Sequence, residues 1–152
     1  MQQTLMDKLV AEVRHYRNKE FLKAVMAVCA LAALADEEFK LSERYKIFQI
    51  FASQEALKEL DFNKAVRILD DYVHALRTDG AGAKTVLYQK VARMADKPKR
   101  ARTMMRVAYM IIVADDEVTE SEIAEFKQLC HQLGLAPEQV WRDLGGNPRL
   151  TP

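Results

Sequence analysis

The residues best suited to chemistry fall in two short acidic stretches, Ala35-Asp36-Glu37-Glu38-Phe39-Lys40-Leu41-Ser42-Glu43 and Ala114-Asp115-Asp116-Glu117-Val118-Thr119-Glu120-Ser121-Glu122. They lie 79 positions apart and agree at five of nine places. Hard cations such as calcium and magnesium take oxygen ligands, and each stretch offers three carboxylates at matching positions. These are Asp36, Glu38 and Glu43 in the first, and Asp115, Glu117 and Glu122 in the second. The spacing is not that of an EF-hand, whose twelfth position is a bidentate Glu. Counted from Asp36 that position is Ile47, and from Asp115 it is Phe126.

Acids just beyond a helix C-terminus are opposed by its dipole, by about 0.3–1 kcal/mol each when exposed. A following helix within a few residues accepts them at its positive end, and Thr119 with Glu122 has the spacing of a capping box. Three readings of the acidic stretches therefore compete: capping and solvation, a divalent-cation site, and a surface on which a protein partner docks. A reading from another class is a hydrolase using Asp36 and Asp115 as general acid and base. His15, His74 and His131 are far apart without an HExxH pattern, and no Ser or Cys sits in a nucleophile motif, so no catalytic or cofactor-binding residue is assigned. The expectation is a non-enzymatic protein.

Apolar residues at helical spacing must position these stretches. Hydrophobic residues make up 49% of the 152, with only 5 Gly and 4 Pro, which leaves little turn chemistry for a sheet and predicts an all-α fold. Leu5, Leu9, Val13 and Tyr16 set the face of a first helix over 4–17, with Thr4 as its cap. Phe21 to Ala35 form a second, Ala-rich and central. A third ends near Ser53, and a fourth runs from Asp61 to the Asp79-Gly80 turn signal. Further helices start near Ala83, at Pro98 and after Thr119, this last ending at a left-handed Gly134. Pro137 opens a short helix with Val140 and Trp141. The acidic stretches thus join helices in two matching hairpins, about 20–53 and 99–134, within one domain over 1–144 that is followed by a mobile tail, 145–152.

Formal net charge is +1, from 23 basic and 22 acidic residues, which argues against a general polyanion binder. Residues 84–106 hold eight basic residues against Asp96 alone, and their only aromatic is Tyr88, too few for stacking nucleic-acid bases. No nucleic acid is expected; protein partners are, and contact with an anionic membrane surface stays open. The longest apolar run, Ala24 to Ala35, covers 12 residues, short of the roughly 20 a membrane-crossing helix needs. No secretory signal is visible after Met1, so a cytoplasmic location is expected, in which Cys29 and Cys130 are buried, reduced thiols.

Taken together, the hairpins resemble the tellurite-resistance TerB family, whose repeated signature is an apolar helix ending in Ala-Asp-Gly, then an apolar residue and a spaced Glu opening the next helix. Ala35-Asp36 and Ala114-Asp115 match its start, Phe39 and Val118 the apolar position, and Glu43 and Glu122 the Glu. Glu37 and Asp116 stand where the signature has Gly, which disfavours a tight positive-φ turn. The resemblance covers about residues 19–144. It implies an all-helical bundle of about seven helices, acidic residues acting as metal ligands, and a role in a bacterial stress-response assembly of the tellurite-resistance type.

Overall fold

The structure, a computed structural model, describes residues 4–35, 41–114 and 117–152, the side chains of 41–43 excepted. Its described residues form seven α-helices: α1 Leu5–Ala33, α2 Leu41–Ser53, α3 Phe62–Thr78, α4 Gly80–Ala92, α5 Pro98–Ile112, α6 Glu120–Gln132 and α7 Pro137–Asp143. Short 3-10 turns at Glu55–Leu57 and Pro148–Leu150 complete the chain. The all-α expectation holds. No helix among the described residues is long and apolar enough to cross a membrane.

α1 is the axis of the bundle and packs against α3, α4, α5 and α6. From Phe21 to Ala33 every residue but Lys23 is buried, so this half of the helix is enclosed on all sides, as a helix apolar all round must be. Its many alanines let neighbouring backbones approach closely. Met104, Met105, Ala108 and Ile112 of α5, with Phe126, Leu129 and Cys130 of α6, close the other side of the core. Leu31 and Ile112 are both buried, as their positions in the apolar pattern require.

α1 differs from expectation in two ways. A break was expected between Arg17 and Phe21, yet one helix runs through both segments. The intervening Asn18-Lys19-Glu20 is polar, but it lacks Gly or Pro, and a polar patch on one face does not interrupt a helix. The stripe Leu5, Leu9, Val13 and Tyr16, expected to face a core, is exposed on an arm that projects from the bundle. The Thr4–Asp7 capping box closes the first turn of α1. α4 also starts at Gly80 rather than near Ala83.

Trp141 of α7 is buried and meets the edges of Tyr109 and Phe126, at centroid distances of 5.2 and 5.1 Å. Its indole N–H donates to the Asn147 carbonyl at 3.0 Å, which draws the last residues back over the ring. Gly146 is needed there, because a Cβ at this position would overlap the indole. Gly134 has φ +67°, and the Leu135 N–H donates back to the Cys130 carbonyl at 2.9 Å, the left-handed stop expected for α6.

Candidate functional site at the loop end of the bundle

α1 and α5 end, and α2 and α6 begin, at the two acidic stretches. Asp36, Glu38 and Asp115 lie outside the described residues, as does the side chain of Glu43, so the proposed hydrolase pair falls there as well. Of the six candidate ligands, Glu117 and Glu122 can be located. Glu117 is exposed. Glu122 is buried and forms the capping box of α6. Its Oε1 accepts from the Thr119 N–H at 2.9 Å and the Thr119 hydroxyl at 3.1 Å, while its own N–H donates to Thr119 Oγ1 at 3.1 Å. An outward-facing ligand role fits Glu117. Glu122 fits it poorly, because a cation at Oε1 would have to displace two donors that close the helix end. Among the described residues, no three His, Cys, Asp or Glu side chains gather closely enough to hold a metal ion.

Positive groups flank both helix ends that lead into the acidic stretches. Lys46 Nζ of α2 donates to the Ala114 carbonyl at 3.0 Å, placing an ammonium at the negative end of α5. The helix that follows the first stretch therefore touches the first residue of the second. At the end of α1, a cavity of about 580 Å³ is lined by Leu31, Leu34 and Ala35 together with Arg77 and Lys84. Its walls are aliphatic and its charged groups are cations, which suits the acidic chain leaving Ala35.

Between α4 and α6 lies a polar contact absent from the sequence-based expectations. The Tyr88 hydroxyl of α4 donates to Oε2 of the buried Glu125 on α6. Burial holds the Glu125 carboxyl above the ordinary carboxylate range, although the Tyr88 hydrogen bond and the Lys84 charge act the other way. Burial and the adjacent carboxylate raise the Tyr88 phenol in turn. The signal available in the sequence was positional: Glu125 occupies the apolar stripe of α6, between Glu122 and Phe126 on one side and Leu129 on the other. Acids on such a stripe are rarely solvated.

The basic segment 84–106 is not spent on solvent alone. Several of its members hold helices together. Arg93 Nη1 pairs with Glu20 Oε2 at 2.7 Å, and that hydrogen bond lowers the Glu20 pKa. The Arg100 guanidinium lies 4.8 Å from the centre of the Phe21 ring and donates to the Arg17 carbonyl at 3.2 Å. Cys29 and Cys130 are buried, and burial pushes both thiols up to about 12, which makes them structural rather than nucleophilic.

These features define the class: a small all-α module with a sealed apolar core and two acidic connections at one end. The chain belongs to the TerB family, since the family described as Tellurite resistance protein TerB matches residues 22–142. It is 27% identical over 101 residues to a Tellurium resistance protein TerB from Alcaligenes sp, a match covering 66% of this chain and 83% of that protein. No solved structure matches.

Proposed function

We propose that this chain is a non-enzymatic interaction module of a tellurite-resistance-type stress-response system, which presents its two acidic stretches to a protein partner, with a divalent cation as co-ligand. Family membership supports the cellular setting, and the Lys46–Ala114 contact carries the site reading. That contact draws the two helix–acidic stretch–helix units together, so that carboxylates from both stretches serve one surface. The cation would be held by Asp36, Glu38, Glu43, Asp115 and Glu117, with Glu122 kept for the helix cap. A bound calcium or magnesium ion would neutralise clustered carboxylates and link them to an acidic or carbonyl-rich partner surface. The alternative is a hydrolase in which Asp36 and Asp115 act as general acid and base.

The test compares the wild type with Asp36→Asn, Asp115→Asn, Glu117→Gln combined, in which size is kept and charge is removed. Calcium or magnesium should raise the melting temperature of the wild type by mass action, and most of that gain should vanish in the variant. Partner capture from the native host should depend on the same carboxylates. A flat titration of the wild type, without binding heat in calorimetry, removes the cation; equal capture of the same partners by both proteins removes the acidic surface.

A further inference from the structure

Residues 4–17 are all exposed, although α1 continues through them without a break. The helix stands out from the bundle for about 20 Å at 1.5 Å per residue. Its apolar side chains Leu5, Met6, Leu9, Val10, Val13 and Tyr16 are 48–76% exposed. The family match covers residues 22–142, and no residue of the arm belongs to the core cluster. A helical arm this apolar is unusual on a monomer unless something covers it.

The spacing indicates the cover. Met6, Leu9, Val13 and Tyr16 recur at intervals of three, four and three, the a and d positions of a coiled-coil seam. Antiparallel seams pair a with d, and about a centre at residue 11 this sequence is complementary to itself: Met6 faces Tyr16 of the other copy, and Leu9 faces its Val13. We propose that the arm is the docking site for a second copy of this chain, paired antiparallel with it into a two-fold dimer.

Two further observations favour that occupant and orientation. At the base of the arm a groove of about 460 Å³ is lined by Val13, Tyr16 and Met94 and flanked by Arg93 and Lys97, and in this register it receives the partner's Leu5 and Met6 tip. A parallel pair is excluded by bulk. Packed helices lie 8–10 Å apart, and from Phe21 onward α1 is wrapped by other helices, each about 10 Å across, so two bodies at the same end would overlap. At roughly 100 Å² of apolar surface per side chain, six from each copy remove about 1,200 Å² from water, at the lower limit for a specific interface.

The same register brings the two Glu12 side chains toward the axis. Glu12→Gln should therefore tighten the dimer, by several-fold at low salt.

Sedimentation equilibrium of the full chain, with single-cysteine cross-linking, tests the proposal. Cys29 and Cys130 are 1% and 0% exposed and stay silent. The wild type should have twice the monomer mass at tens of micromolar. Leu9→Asp with Val13→Asp should weaken association at least tenfold while leaving the melting transition of the dilute monomer unchanged, because both side chains are exposed there. Val10→Cys lies next to the axis and should cross-link to itself. Leu5→Cys should not, since the two copies would be about 18 Å apart, well beyond disulfide reach. A monomer at several hundred micromolar overturns the proposal, and so does equal cross-linking at both positions. A monomer that sediments with vesicles of phosphatidylserine and phosphatidylcholine would overturn it too, assigning the arm to a membrane surface.

Discussion

Phe126 provides the sharpest test of the packing, because its surroundings contain a built-in probe. Its ring is fully buried and meets Trp141, the only tryptophan of the chain, edge to face at 5.1 Å. Phe126→Ala removes a buried ring and leaves a cavity beside a second rigid ring that cannot collapse into it. Substitutions of this kind cost about 3–5 kcal/mol. Of this, about 0.5–1.5 kcal/mol is the aromatic pair itself, which Phe126→Leu also loses while keeping most of the volume. Phe126→Leu should therefore cost about 1–2 kcal/mol. A chain of this size loses about 2–4 °C of melting temperature per kcal/mol, so Phe126→Ala should melt on the order of 10 °C lower. Urea titration followed by both tryptophan emission and far-ultraviolet circular dichroism measures the change, and coincident curves justify the two-state analysis. A cost below about 1 kcal/mol for Phe126→Ala, or water-exposed indole emission from the native wild type, would refute this picture of the core.

Glu125 predicts a pH dependence. Its folded pKa is raised by burial, so the folded protein keeps a proton that the unfolded chain releases near the ordinary carboxylate pKa of 4.5. Its contribution is fully present below that value and is lost as pH rises toward the folded pKa. Glu125→Gln, which still accepts from Tyr88, should flatten this slope in melting temperatures taken from acid to neutral pH; parallel profiles would show that Glu125 ionises normally. Leu31→Ala should destabilise by about 2–5 kcal/mol in denaturant titration, toward the lower end because Leu31 also lines the cavity near Arg77 and Lys84. Thr119→Ala removes the acceptor for the Glu122 N–H and should cost about 1 kcal/mol, whereas Thr119→Ser should be nearly neutral. A stability loss common to both Thr119 variants would point to the methyl group rather than the cap.

The all-α class and most helix boundaries were legible because apolar periodicity and capping residues act locally. Asp61 and Thr119 each immediately precede a helix and cap it through their side chains, and Gly134, two residues beyond α6, marks its end through its backbone freedom. The Thr119–Glu122 cap was readable for the same reason, and so were the buried thiols, since apolar residues on an apolar face have one favourable destination.

Periodicity could not say what a face is turned toward. The stripe of Leu5, Leu9, Val13 and Tyr16 has the pattern of a core helix, but the body closes around Phe21 to Ala33 and none of the described elements buries the stripe. The uses of the basic segment were equally hidden, because the partners of Arg93 and Arg100 lie 73 and 82 to 83 residues away. The same holds for Tyr88 and Glu125, 37 residues apart and joined only because α4 packs on α6. Local sequence determined where helices form and which acids cap them. Tertiary packing decided which charges are desolvated and paired and which apolar face is left uncovered, because both depend on what the rest of the chain brings within a few ångströms.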